Sequence, residues 1–239
     1  MLMSLFCIAC KNKVCYNYTC VINFYSNFGG AAVSGLFITM EGTDGAGKTT
    51  QINMLRDYLE NKGYSVICVR EPGGTAIGEK IREIIIDKNN AEMCQMTEAM
   101  LYAAARAQLV NEVIMPALKD GSIVISDRFL DSSLVYQGYA RGMGERRIRN
   151  LNRYAVEDLE PDITFFLRLK PEDGLKRKRA QAELDRIESE HFNFHQRVYD
   201  GYVSLARRNK KRIKMLDALK DAQELHAIIL KEIETLLEW

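Results

Sequence analysis

The sequence predicts an α/β fold: a five-stranded parallel sheet with helices on both faces and a small lid. Three observations carry that expectation. From residue 35 onward, short apolar runs alternate with longer amphipathic stretches, the pattern of parallel strands joined by crossover helices. The first apolar run, 36–40, leads straight into a glycine-rich turn at 42–49. The chain has 239 residues, enough for a core that hides about 70% of the unfolded surface.

The elements follow in order. Residues 36–40 read as a buried strand. A helix over 48–62 places Ile52, Leu55 and Leu59 on one face, with Gly63 as its stop. Strand two is expected at 65–69, followed by helices over 77–86 and 97–118. Strand three is 123–125, entered through Asp120-Gly121. Helical stretches over 131–140 and 145–158 precede a fourth strand at 163–167. Pro171 opens another helix, and 187–207 is expected to be helical. A fifth strand at 213–216 and an amphipathic helix over 221–238 complete the pattern. The charge-rich run within 176–190 is the candidate lid.

Lys and Arg total 33 against 32 Asp and Glu, a net charge of +1. That balance does not point to a strongly basic nucleic-acid binder, and neither nucleic acid nor membrane is expected as a partner. Four prolines and 16 glycines exclude collagen-like and proline-rich classes.

Residues 1–34 look unlike the rest. Cys7, Cys10, Cys15 and Cys20 precede only Cys68 and Cys94, and 14–40 carries no charge. A signal peptide would place Lys11 and Lys13 before the apolar stretch, not after it. A membrane helix would not be broken by Asn17, Asn23, Asn27 and Gly29-Gly30. A thiolate metal site would want a second Cys-x-x-Cys, which is absent. The fourth alternative is an extension outside the working protein, disordered or from a mis-assigned start. Gly29-Gly30 can be encoded by a ribosome-binding sequence and Val33 by an alternative start codon. We take Val33 as the expected start and 35–239 as one domain.

Gly42-Thr43-Asp44-Gly45-Ala46-Gly47-Lys48-Thr49 matches G-x-x-x-x-G-K-[ST] in full. Glycines let successive backbone N–H groups turn toward phosphate oxygens, and the helix that follows adds its positive end. In such a loop Lys48 reaches the β- and γ-phosphates and the Thr49 hydroxyl ligates Mg²⁺. A guanine-reading Asn-Lys-x-Asp is missing, since Asn209-Lys210-Lys211-Arg212 lacks the aspartate. A small-molecule kinase that binds a nucleoside triphosphate fits best.

The acceptor side is expected beyond the carboxyl ends of the strands. Arg70-Glu71-Pro72-Gly73-Gly74-Thr75 ends strand two and Asp127-Arg128 ends strand three. Asp127 is either an outer partner of Mg²⁺ or a residue that orients Arg128. Tyr102 and Arg106 lie one helical turn apart. Together they suit either a nucleobase or, more simply, a core tyrosine beside a surface ion pair. His191 and His195 lack a metal-ligand pattern and read as a packed or surface pair.

These motifs, with Tyr102-Ala103-Ala104-Ala105-Arg106, Asp127-Arg128-Phe129, Ser132-Ser133-Leu134-Val135-Tyr136-Gln137-Gly138 and Leu184-Asp185-Arg186-Ile187-Glu188, closely resemble bacterial thymidylate kinases from Leu36 to the C-terminus. The resemblance implies a P-loop nucleoside monophosphate kinase fold and phosphoryl transfer from ATP, with Mg²⁺, to thymidine monophosphate. It implies an ATP cradle of Gly42, Thr43, Asp44, Gly45, Ala46, Gly47, Lys48, Thr49 and Thr50. Asp44 would meet the acceptor 3′-hydroxyl, and Arg70 and Arg128 would hold the acceptor phosphate, with Arg82 as a further contact. Tyr102 would stack on thymine where relatives often carry phenylalanine. Arg106 would read a thymine carbonyl, and Ser133 and Gln137 the base edge. Tyr136 would lie against the sugar 2′ position. Phe129 replaces a tyrosine common in relatives. A cytoplasmic homodimer is implied, with the 97–118 helix as its interface.

The P-loop has no arginine, so the resemblance assigns that charge to the lid. There Lys176, Arg177, Lys178, Arg179 and Arg186 are basic, and Gln181 replaces an arginine of some relatives. Arg186 is the expected catalytic lid arginine, sharing the transferred charge with Lys48, Arg128 and Mg²⁺. Its replacement by alanine is expected to lower kcat and spare acceptor affinity. Another nucleoside monophosphate kinase and a non-catalytic P-loop protein are the alternatives.

Overall fold

The structure, a computed structural model, describes residues 35–179 and 185–237, without the side chains of 178 and 179. The expectations for 1–34, including the start at Val33 and the cysteine cluster, and the departure at Gln181 lie outside the described residues.

Five strands form one sheet: β1 (Phe37–Glu41), β2 (Val66–Arg70), β3 (Ile123–Asp127), β4 (Ile163–Arg168) and β5 (Ile213–Asp217). Their spatial order is β2-β3-β1-β4-β5 and every pairing is parallel. Side chains alternate across a strand, so β1 feeds two cores. Phe37 joins Val124, Phe166 and Ile213 on one face. Ile38 and Met40 join Ile125, Ile163 and Phe165 on the other.

Helices α1 (Lys48–Asn61) and α9 (Ala222–Leu237) cover the second face. They bury Ile52, Leu55 and Leu59, and Ile229 and Ile233. Gly63 at φ 89° follows α1 and ends it, since glycine enters the left-handed region at no steric cost. The first face carries α3 (Gln95–Leu109) and α8 (Phe192–Arg208), which contribute Leu109, Val198, Tyr202 and Leu205. Each fully buried side chain of this kind stabilises the fold by about 1.5–3 kcal/mol. A polar seam also runs between the strands. Thr39, paired in register with Thr164, meets it hydroxyl to hydroxyl at 2.7 Å. Arg212 donates to Thr164 and makes two bonds to Asp131.

Two expected helices differ in detail. The expected 97–118 helix is α3, a π-helical turn at Val110–Ile114, and α4 (Met115–Lys119). Pro116 has no N–H and crowds the carbonyl four residues back, and a wider turn just before it relieves that conflict. The stretch expected from 187 instead begins its helix at Phe192. Asp185 and Glu188 cap each other first: each side chain accepts the other's backbone N–H, at 2.9 and 2.8 Å. The remaining helices are α2 (Ala76–Ile86), α5 (Leu130–Ser133), α6 (Glu145–Val156) and α7 (Pro171–Arg179); a 3₁₀ turn, Lys88–Asn90, follows α2, and a π-helical stretch, Leu134–Ala140, follows α5.

Candidate active site

The glycine-rich turn joins β1 to α1 at the carboxyl edge of the sheet. Gly42, Gly45 and Gly47 have φ of 144°, 78° and 92°. A Cβ on Gly42 would come within 2.7 Å of the Leu167 carbonyl, and one on Gly45 within 2.7 Å of the Gly174 carbonyl. The turn therefore needs glycine both for its dihedrals and for its close approach to β4 and α7. Lys48 folds back and donates to the Gly42 and Thr43 carbonyls, both at 3.3 Å. Burial, and then the Arg128 charge, pull its pKa below the usual lysine range.

A cavity of ≈ 390 Å³ opens in front of this turn, with Lys48, Thr49, Thr50, Arg70, Asp127 and Arg128 in its wall. The Asp127 Oδ1 is buried, has no hydrogen-bond partner, and lies 4.0 Å from the Lys48 ammonium. A hard divalent cation takes carboxylate and hydroxyl oxygens, so Asp127 with Thr49 fits Mg²⁺ carried in with phosphates. Among the described residues no cluster of three or more His, Cys, Asp or Glu could hold a metal by itself.

A second cavity of ≈ 150 Å³ adjoins the first. Tyr102, Ser133, Tyr136 and Gln137 line it, and Asp44, Glu71, Arg82 and Arg128 line both cavities. The structure thus gathers residues from the ends of β1, β2 and β3, from α2 and α3, and from the segment after β3. Arg128 sits at the junction. Its backbone has φ 70°, unusual outside glycine and a mark of a constrained site. Its guanidinium reaches Asp44 at 2.8 Å and lies 5.4 Å from the Tyr136 ring centroid. Arg70 donates to Glu79 at 2.7 Å and Arg82 to the Pro72 carbonyl at 3.1 Å. Burial pulls the Arg82 pKa down, and neighbouring Arg70 adds to that.

Two expected residues sit elsewhere. Arg106 is 1% exposed and is not in either cavity wall. It binds Glu71 at 2.6 Å, Asn152, the Phe129 carbonyl and the Ser133 hydroxyl. It therefore stands behind the base-side wall, holding Glu71 and Ser133 that face the cavity. The surface ion pair considered as its plain alternative is also excluded by that burial.

Arg186 lies away from the phosphate cavity. Its side chain donates to the Ile85 carbonyl and to Glu98, each at 2.7 Å. Arg141 binds the same carboxylate at 3.1 Å, and Gln137 donates to it at 3.0 Å. Burial opposes the Glu98 charge, but Arg141 and these hydrogen bonds hold its pKa below the usual range. Among the described lid side chains, Arg177 on α7 reaches the phosphate turn: its guanidinium donates to the Gly45 carbonyl at 3.3 Å. His191 precedes α8 and is exposed. His195 lines a small third cavity with Thr43, Asp44 and Tyr136.

Glu41, Glu98 and Tyr202 organise the site from outside the motifs, and Glu71, inside one, carried no expected role. Glu41 did carry a signal: it is a charged residue ending a fully buried strand, one position before the P-loop. Burial and then Asp131 push its pKa up. The Glu71 carboxyl is pushed up to about 7, mainly by burial, against the pull of Arg106.

Comparison with known proteins agrees with this geometry. The family model described as thymidylate kinase matches residues 40–229. A thymidylate kinase of Thermoanaerobacter sp. (strain X514) is 45% identical over 205 residues, 86% of this chain and 100% of the relative. One from Bacillus pumilus (strain SAFR-032) is 45% identical over 208 residues, covering 86% and 98%. The crystal structure of thymidylate kinase from Ehrlichia chaffeensis superposes with a TM-score of 0.69 at 31% identity, covering 84% of this chain and 99% of that one. On its fold, its phosphate cradle and these matches, the chain belongs to the thymidylate kinase family.

Proposed function

We propose that the chain transfers the γ-phosphoryl group of ATP to thymidine 5′-monophosphate, giving the diphosphate for DNA precursor synthesis. The observation that carries this reading is the shared wall of the two cavities. Asp44 and Arg128 line both and are 2.8 Å apart, so a donor phosphate chain and an acceptor monophosphate would meet at this pair.

In this reading Gly42 to Thr50 bind the phosphates of ATP and Lys48 neutralises the β- and γ-oxygens. Mg²⁺, held by Thr49 with Asp127 beside it, supplies charge neutralisation across the phosphates when bound. Arg70, Arg82 and Arg128 hold the acceptor phosphate, and Asp44 takes the 3′-hydroxyl. Tyr102 stacks on the base, Ser133 and Gln137 meet its edge, and Tyr136 crowds the 2′ position. Arg106 serves through Glu71 and Ser133. The attacking phosphate oxygen is already deprotonated at neutral pH, so no strong base is needed. Catalysis is positioning plus electrostatic stabilisation. Arg177, at the Gly45 carbonyl, is better placed than Arg186 to supply the lid charge, and Arg186 with Glu98 holds the root of the lid.

A homodimer is also proposed. Ile77 and Ile84 on α2 and Met100 on α3 are exposed apolar side chains, and such a surface suits a second copy. A cytoplasmic location fits the activity. No helix among the described residues is long and apolar enough to cross a membrane.

A coupled ATP-consumption assay across a panel of nucleoside monophosphates tests the reading. Turnover with thymidine monophosphate and little with the others is expected. Preference for an adenine or guanine acceptor, or no turnover with any, overturns it.

A further inference from the structure

The two ends of the Arg128 guanidinium are held differently. Nη2 faces Asp44 in the cavity wall at 2.8 Å. Nη1 points back into the protein, toward the Tyr202 hydroxyl at 3.3 Å and the Ser132 hydroxyl at 3.4 Å. Both hydroxyls sit on one oxygen of Glu41, at 2.7 and 2.6 Å. The other Glu41 oxygen accepts the backbone N–H groups of Phe129 and Ser132, at 2.9 and 3.2 Å. All three side chains are buried. The two hydroxyls are also 2.8 Å from each other; a carboxylate is acceptor-only, so their two protons are shared within the pair and with Glu41, and both oxygens present lone pairs to Arg128. Chains of this kind polarise one another in a low-dielectric interior.

We propose that Tyr202 is a positioning residue for phosphoryl transfer: its hydroxyl ties Nη1 of Arg128 to Glu41, leaving Nη2 to exchange Asp44 for the acceptor phosphate. The inference rests on the proposed acceptor role of Arg128. Tyr202 stands on α8, remote from the motifs that mark the site, yet it joins that helix to the end of β1 and to the turn after β3. Its ring has a separate job, stacking on Phe166 at 5.0 Å with an interplanar angle of 16°. The hydroxyl can therefore be removed while the ring stays packed.

The test compares the full-length wild type with Tyr202→Phe and, separately, Ser132→Ala. Both KM values, kcat and the melting temperature are measured. Losing one hydrogen bond to a charged group predicts an acceptor KM raised about tenfold in Tyr202→Phe. The ATP KM should stay within about twofold, because the cradle is untouched. Ser132→Ala should move the same constant in the same direction. An unchanged acceptor KM in a folded Tyr202→Phe protein, or equal rises in both KM values, overturns the tether. If Tyr202→Phe does not fold, Ser132→Ala decides: Ser132 also lines the acceptor cavity, so a raised monophosphate KM with unchanged binding of thymidine, which lacks the phosphate, supports the tether, and an unchanged KM or equal losses for both overturn it. A wild type that does not use thymidine monophosphate overturns the acceptor assignment itself. The nucleoside monophosphate that the wild type binds most tightly by calorimetry then serves as the probe: about tenfold weaker binding in Tyr202→Phe supports the tether and equal binding overturns it.

Discussion

Arg186 donates to Glu98 at 2.7 Å, in a pair whose side chains are 9% and 2% exposed. An arginine so placed anchors the segment after the lid and cannot at the same time face the phosphate cradle. Breaking a buried ion pair is expensive, but Arg141 still neutralises Glu98. Arg186→Ala is therefore expected to cost about 2 kcal/mol of stability. The folded fraction should lose far less turnover than an arginine-finger deletion. Denaturant melts combined with kcat per folded molecule check this.

Arg177→Ala should behave in the opposite way. Its guanidinium is exposed and bonded to the P-loop backbone, so its loss should leave the melting temperature nearly unchanged. If it shares the transferred charge, kcat falls by about 10³-fold with little change in either KM. Single-turnover measurements at saturating ATP separate this from slowed product release.

Gly45→Ala should damage the donor site selectively. The residue has φ 78° and its Cβ would lie 2.7 Å from the Gly174 carbonyl. The cost is about 2 kcal/mol of backbone strain, added to a displacement of α7 from the cradle. ATP affinity, read by calorimetry, should fall while thymidine monophosphate affinity holds.

Glu71 makes a pH-dependent contribution that can be isolated. Its pKa is raised from 4.5 to about 7, so in the window between those values the folded state holds a proton that the unfolded state has released. Stability is then lost as pH rises through the window, and is level above it. Glu71→Gln removes that slope. The difference in unfolding free energy between wild type and variant should change from pH 4.5 to 7 and be constant from 7 to 8.5, measured by urea melts.

Sequence legibility divided along local and distant causes. Every strand was identified within a residue or two; burial on both faces leaves a continuous apolar run in β1, β3 and β4, while the half-exposed edge strands β2 and β5 were legible from their place between helices. The cradle was legible because its glycines answer to their own backbone. Arg70 and Arg128 were placed by a strand-end rule that needs no partners. Arg186 was not, because its direction is fixed by Glu98, 88 residues away. Tyr202 was silent for the same reason, since Glu41 is 161 residues distant. Arg106 was half legible. Its helical turn was right, but its burial depends on Glu71 and Asn152 from two other elements.

The hydroxyl pair of Thr39 and Thr164 has a consequence beyond the core. It acts as a ruler for the chemistry. A slip of one residue between β1 and β4 would turn Thr164 to the opposite face and strand Asp131 and Arg212 without it. The permitted alignment sets the height at which the chain leaves β1. Two residues later Glu41 gives way to Gly42, whose fit under the Leu167 carbonyl depends on that height. An engineer could vary much of the apolar packing around this sheet. The small polar pair at its centre is the mark from which the phosphate cradle is measured.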